Sequence, residues 1–334
     1  MVSRKTAKKP GPPGQLTPIK SKPRQFLRKL VLVPALFLFL IQWPAAAQPD
    51  SQNTVMEVAG GKIDITWPDE PVQLTRNDLL HWIKTAANTV SQYYGRFPVP
   101  HLTLRIRSDG RSGIHHGVTY ATHGGLILIT VGRTTTVGDL DSDWRMTHEM
   151  IHLAFPNMAD EHRWIEEGIS TYVEPVARAQ AGQLTPEAVW KEFARDMPQG
   201  QPDSGDQGLD NTHTWGRTYW GGALFCLSAD VQIREKTHNQ KGLRDALRAI
   251  TSKGNVAEDW EIEKAFAIGD KATGTTVLRD LYRQMRDKPS AVDLNSLWKK
   301  LGVEFKDGKV TFDDKAPEAA IRQAITAPVA YKNY

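Results

Sequence analysis

The sequence is nearly without cysteine: Cys226 is the single one in 334 residues. An intramolecular disulfide is therefore excluded, and a thiol in the apolar stretch "GGALFCLSA" reads as buried and inert rather than nucleophilic. Acidic residues are missing from positions 1–47, which hold nine Lys and Arg. Removing those nine from the 42 basic residues leaves 33 against 38 Asp and Glu, so the body of the chain is mildly acidic and the overall charge of +4 comes from its beginning. A nucleic-acid partner needs a basic face, and no such face is encoded after residue 47. Long hydrophobic runs are also scarce. The run "LVLVPALFLFLIQW" at 30–43 has 14 residues and contains Pro34, short for a helix crossing about 30 Å of hydrocarbon. Neither an internal repeat nor a long low-complexity tract occurs after residue 50.

What is present begins with an export pattern. A basic segment, the apolar run and then "AAAQ", with small residues at Ala45 and Ala47, form a secretory signal over 1–47 with cleavage expected after Ala47. The alternative is an uncleaved membrane anchor at 30–43. Either way the remainder is expected in an exported compartment, periplasmic or secreted. Export without disulfides suggests a bacterial envelope protein held together by its core. Composition supports this, with 40% hydrophobic residues and ten tryptophans.

Periodicity predicts an α+β layout. "GKIDITWP" and "HLTLRIR" alternate as strands, and "GVTYATHGGLILITV" reads as one or two more around a glycine turn. Between them, "TRNDLLHWIKTAANTVSQYYG" places Leu79, Leu80, Ile83, Ala86, Ala87 and Val90 on one helical face and closes at Gly95. A helical block from Asp141 follows, then a second helix at "HRWIEEGISTYVE". From "TPEAVWKEFARDM" onward the chain is mainly helical, interrupted by a polar loop at 198–214, and "VEFKDGKVTF" carries a hairpin signal at Asp307-Gly308. Residues 48–180 are thus expected to form a strand-containing half, and 181–334 a helical lobe ending in a hairpin near 303–312.

The chemistry concentrates in "THEMIHL" at 147–153. Residues four apart on a helix lie one turn above each other, so His148 and His152 can bind one ion. Glu149 projects about 100° away from His148, near that ion without binding it. Catalytic zinc takes three protein ligands and keeps a fourth position open, and HExxH supplies two ligands and a general base together. The string also arises by chance, so its surroundings matter: "WRMTHEMIHLAF" is apolar opposite the histidines, as a buried active-site helix should be. A third histidine six residues after His152 would mark a metzincin, but that position is Met158. The remaining candidates for a third ligand are acidic: Asp160, Glu161, Glu166 and Glu167.

"HEMIH" followed by "WIEEGISTYVE" resembles the gluzincin metallopeptidases of the aminopeptidase N type, whose HExxH is followed by W-L-N-E-G-F-A-x-Y-x-E. The resemblance covers roughly residues 75–235 through three short segments. It implies a thermolysin-like zincin catalytic domain binding one Zn2+ through His148, His152 and Glu167, with Glu166 as the rival third ligand. The gap between His152 and that glutamate is 14 residues rather than the family's 18, which makes this a shortened variant. Glu174 matches the family's trailing glutamate, as a supporting or merely salt-bridged residue. "TYWGGALFCL" is similar to the family's Y-E-K-G-A segment, which puts the oxyanion-stabilising tyrosine on Tyr219. His213 and Arg217 lie nearby, as loop residues or substrate contacts.

One departure redirects the expected activity. Aligning "GGLILIT" with the family's P-G-L-I-T puts Thr122 where the G-A-M-E-N glutamate grips a substrate's free amine. A standard aminopeptidase is therefore disfavoured against another zinc peptidase acting on peptide or protein substrates, with Glu149 and Tyr219 catalytic. The segment Leu126–Thr130 is expected to offer an edge strand to an extended substrate, and His115, His116 and His123 read as loop residues beside it. The rival readings are a catalytically silent zincin-fold binding or chaperone-like envelope protein, and an envelope interaction protein tethered by residues 30–43.

Overall fold

The computed structural model describes residues 53–329; the export segment expected at 1–47 lies outside the described residues. Among the described residues no helix is long and apolar enough to cross a membrane.

A five-stranded mixed sheet opens the fold, in the order β1-β2-β3-β5-β4. β1 (Thr54–Val58) and β2 (Gly61–Thr66) pair antiparallel. α1 (Arg76–Tyr94) then crosses over to β3 (His101–Asp109), which runs parallel to β2. β4 (Ile114–Tyr120) and β5 (Leu126–Gly132) form an antiparallel pair, with β5 inserted parallel beside β3. Alternation buries one face only: Ile63 and Ile65, Leu102, Leu104 and Ile106, and Ile127, Ile129 and Val131 all point into the core. α1 is set by its ends. Thr75 and Asp78 form a reciprocal capping box, and Gly95 closes the helix at φ 86°. The helix buries Leu79, Trp82, Ile83, Ala86, Ala87 and Val90, whereas Leu80, expected on that face, is only half-buried.

After β5 come α2 (Val137–Asp141), α3 (Arg145–His152) and α4 (Arg163–Gln180). α3 begins where it does because the Asp143 carboxylate accepts from the main-chain N–H groups of Arg145 (3.1 Å) and Met146 (3.0 Å). The same carboxylate accepts from Trp82 Nε1 (3.1 Å), which ties the start of α3 to α1. Burial pushes the Asp143 pKa up, and those three donors work against the rise.

The remainder is helical: α5 (Pro186–Asp196), a π-helical turn (Arg217–Gly221) leading into α6 (Gly222–Lys236), α7 (Leu243–Thr251), α8 (Ile262–Thr273), α9 (Val277–Met285) and α10 (Leu294–Leu301). The hairpin of β6 (Val303–Lys306) and β7 (Lys309–Phe312) turns at Asp307 and Gly308, both at positive φ, and α11 (Ala319–Thr326) follows it. The hairpin is therefore not the last element of the lobe.

The contact that matters most for the site is the crossing of α4 and α6. A Cβ on Gly222 would lie 2.1 Å from the Trp164 carbonyl oxygen, and one on Gly168 would lie 2.3 Å from the Gly222 carbonyl carbon. Only hydrogen fits at either position, so the two helices meet backbone to backbone. Glu167 stands beside one of these glycines and Tyr219 three residues before the other.

Candidate metal centre

α3 and α4 bring His148, His152 and Glu167 together. The Nε2 atoms of His148 and His152 lie 3.4 and 3.5 Å from the same Glu167 oxygen, Oε2, and the three candidate ligand atoms all lie within 4.8 Å of one another. His148 and Glu167 are buried and His152 nearly so. Two imidazole nitrogens and one carboxylate oxygen form a donor set suited to zinc. Bonds of about 2.0–2.1 Å in a tetrahedral site put neighbouring ligand atoms roughly 3.3–3.4 Å apart, close to the two histidine–glutamate spacings here. The residues present therefore fit the ion.

The three groups also hold one another's charge. Burial would raise the Glu167 pKa, but the two imidazoles hold it well below the usual carboxylate range. Burial would depress His152, and the charges of Glu167 and Glu149 outweigh that, lifting it to about 9. His148 differs, because its burial prevails over the Glu167 hydrogen bond and lowers its pKa. The positive charge that keeps this buried carboxylate ionised comes from the imidazoles, and a metal ion bound to the same three groups would take over that part.

Glu149 is braced against the sheet. Thr119 Oγ1 lies within donating distance of Glu149 Oε2 (2.8 Å) and of its main-chain oxygen (2.9 Å). A Cβ on Gly117 would stand 2.7 Å from Glu149 Oε1, so the absence of a side chain there makes room for the carboxylate. On the other side, the π-helical turn presents Tyr219. Its ring lies roughly parallel to that of His148, with centroids 6.4 Å apart, and to that of Trp215, at 5.8 Å. Burial and then the Glu167 carboxylate raise the Tyr219 pKa, which keeps the hydroxyl protonated and able to donate.

The structure also places the neighbours of the cluster. Glu166, the rival third ligand, turns away: its Oε1 accepts from the Met158 N–H at 3.1 Å. Glu174 is salt-bridged, one of the two readings open for it, in a buried pair with Arg178 (3.0 Å). Arg217 lines no open loop. It is buried against Asp206 (2.6 Å) and donates to the Gly200 carbonyl, pinning the loop that follows α5 beneath the π-helical turn. His213 is exposed, and so is Thr122, which begins the 3-10 turn Thr122–Gly124. His115 and His116 are strand residues of β4, not loop residues. The segment Leu126–Thr130 is not an edge, because β5 is paired on both sides; the sheet's edge beside α3 is β4.

Sequence reasoning missed the supports at Gly117 and Thr119, whose roles exist only once β4 packs on α3. It also missed Arg145 and Arg163, each one turn before a site carboxylate, a spacing that was open to inspection.

No protein-family model and no curated protein matches this sequence. Among solved structures, an aminopeptidase N family protein from Idiomarina loihiensis superposes with a TM-score of 0.57 at 13% identity, over 75% of this chain and 49% of that one. The likeness is one of fold. It bears out the expected mixture of a small sheet and many helices. An M1 zinc metallopeptidase from Deinococcus radiodurans (TM-score 0.43, 13% identity, 72% of this chain and 52% of that one) is more distant. So is the same organism's enzyme described as bound to a Tyr-Ser-Ala substrate (TM-score 0.46, 12% identity, 72% and 52%). This chain spans about half the length of the structures it matches.

Proposed function

We propose that this chain is a zinc-dependent peptidase of thermolysin-like arrangement, built on a shortened HExxH-x14-E pattern and distinct from a standard aminopeptidase. The observation that carries the reading is the convergence of His148, His152 and Glu167 beside a braced Glu149 and a protonated Tyr219. His148, His152 and Glu167 would hold the ion. Zinc bound there supplies a Lewis acid that polarises a carbonyl and makes water acidic near neutral pH. Glu149, fixed by Thr119, takes the proton of the attacking water and delivers it to the departing amine. Tyr219 donates its hydroxyl to the carbonyl oxygen as that oxygen gains negative charge. The buried walls around His148 and Glu167 strengthen each of these interactions by excluding solvent. Export belongs to the same proposal and rests on residues 1–47 alone; a mature protein beginning at Gln48 is the expected result of N-terminal sequencing.

The test is Glu149→Gln, assayed by metal analysis and by cleavage-site profiling on a peptide mixture. The variant should keep one zinc per chain and lose turnover by at least about a hundredfold, the scale of general acid–base catalysis. Undiminished cleavage by Glu149→Gln, or wild-type protein that takes up no zinc, would sink the reading.

A further inference from the structure

Two cations stand close to the carboxylates of the cluster. Each site carboxylate is preceded, one turn earlier on the same helix, by an arginine: Arg145 before Glu149 and Arg163 before Glu167. The Arg163 side chain is 66% exposed, and its Nη2 lies 3.4 Å from Glu167 Oε1. The oxygen facing the two imidazoles is the other one, Oε2. Arg163 thus stands where the cluster meets solvent. Among the described residues Glu167 is the one hydrogen-bond partner of its guanidinium. A guanidinium has five donors, so most of its capacity remains unspent.

Arg145 is the second cation. Its guanidinium lies 4.7 Å from the centre of the Trp144 ring, and Trp144 meets His148 edge-on at 5.4 Å. Its counter-charge, Asp143, is 4.0 Å away and already accepts three N–H groups. At the position where the family resemblance would set an ammonium-gripping glutamate, the chain has the uncharged Thr122.

We propose that the site selects peptides carrying a carboxylate next to the scissile bond, with Arg163 as its principal contact and Arg145 as a supporting positive charge. This rests on the peptidase reading above. The guanidinium fork matches a carboxylate in a bidentate arrangement and loses less hydration than an ammonium would. A free N-terminal ammonium beside Arg163 would face a like charge. The carboxylate can belong to an Asp or Glu side chain or to a peptide's C-terminus; the chemistry is shared and the test separates them.

The experiment uses zinc-loaded Glu149→Gln protein, which binds without turning over. It is titrated with matched fluorescent peptides, Asp or Glu against Asn or Gln, and C-terminal acid against C-terminal amide. Wild-type cleavage profiling runs in parallel. At least one acid form should bind about tenfold or more tightly than its neutral partner, and whichever pair differs names the source of the carboxylate. Arg163→Gln should bring that ratio to within about twofold with zinc content unchanged, and Arg163→Lys should recover part of it. Equal binding of acids and amides, no binding of any peptide, or a preference for free amines overturns the proposal. So does an Arg163→Gln protein that loses zinc yet keeps the acid preference, since Arg163 would then serve only Glu167. A wild-type protein that cleaves nothing defeats the peptidase reading instead, and the binding ratios still decide carboxylate selection.

Discussion

The two halves of the site are held by different kinds of contact. In the first, α3 lies on the sheet: Asp143 caps it, Trp82 ties it to α1, and Thr119 with Gly117 fixes Glu149 on the edge strand. Apart from the space left at Gly117, these are polar contacts of side chains, each replaceable by a near equivalent. In the second, α4 and α6 touch through main chain at Gly168 and Gly222, and a buried Arg217–Asp206 pair locks the turn that presents Tyr219. Here no substitute exists, because space and buried charge decide together. The first half should therefore fail softly, by losing rate, and the second abruptly, by losing structure and metal.

The largest effect is expected from Arg217→Met. It leaves the Asp206 carboxylate buried without a cation, which costs about 3–5 kcal/mol of stability in urea denaturation. A loss within the range of ordinary surface substitutions would show that the pair is solvated and the contrast drawn here is wrong. Next comes Gly222→Ala. Its methyl group would collide with the Trp164 carbonyl, so α4 and α6 must separate at a cost of about 3 kcal/mol. Glu167 moves with α4, and zinc affinity should fall together with stability. Retained affinity would mean that the crossing does not position the third ligand.

A milder outcome is expected in the first half. Thr119→Val removes the hydroxyl within 2.8 Å of Glu149 while keeping the shape of the strand. A hydrogen bond to a charged group is worth about 1.5 kcal/mol at the low end, so kcat should drop roughly tenfold with zinc affinity and Tm nearly unchanged. If affinity fell instead, the division of labour between the halves would not hold.

The same contrast governs what the sequence made legible. The first half was readable because HExxH packs two ligands and a base into five adjacent residues, and helical geometry alone brings them to one place. α1 was readable for a similar reason, since Thr75, Asp78 and Gly95 mark its ends locally. The second half depended on a resemblance. That resemblance left Glu166 and Glu167 as rivals, and the Met158 N–H that engages Glu166 comes from the segment linking α3 to α4. The misplaced edge strand has a comparable origin. β4 and β5 both alternate, and which of them is paired on two sides depends on β5 entering beside β3, a non-local event that the alternation of either strand does not encode. Arg217 misled because a cation in a polar loop reads as solvent-facing until its buried partner, eleven positions earlier, is brought under it.

The smallest expected effect belongs to the link that joins the loop before the π-helical turn to the start of α4. His162 Nδ1 meets Asp210 Oδ1 at 3.0 Å, and Asp210 also accepts from Trp164 Nε1 (2.7 Å) and the Tyr282 hydroxyl (2.8 Å). The Asp210 hydrogen bond raises the His162 pKa. For Asp210 itself, burial would raise the pKa, but its three donors prevail and lower it. A histidine raised on folding stabilises fully below its ordinary value of 6.5 and loses that contribution as pH climbs through its raised value. A depressed aspartate stabilises above its ordinary value of 3.8 and loses that contribution as pH falls through the lowered one. The stability difference between wild type and His162→Gln should therefore be greatest between about pH 4 and 6.5, of the order of 1 kcal/mol or less, and shrink in alkali. Thr119→Val should show no such window, because no imidazole takes part in bracing Glu149 from the strand. A pH-independent difference for His162→Gln would mean that the pair holds the loop by packing alone, which would leave the Arg217–Asp206 ion pair as the electrostatic lock of the second half.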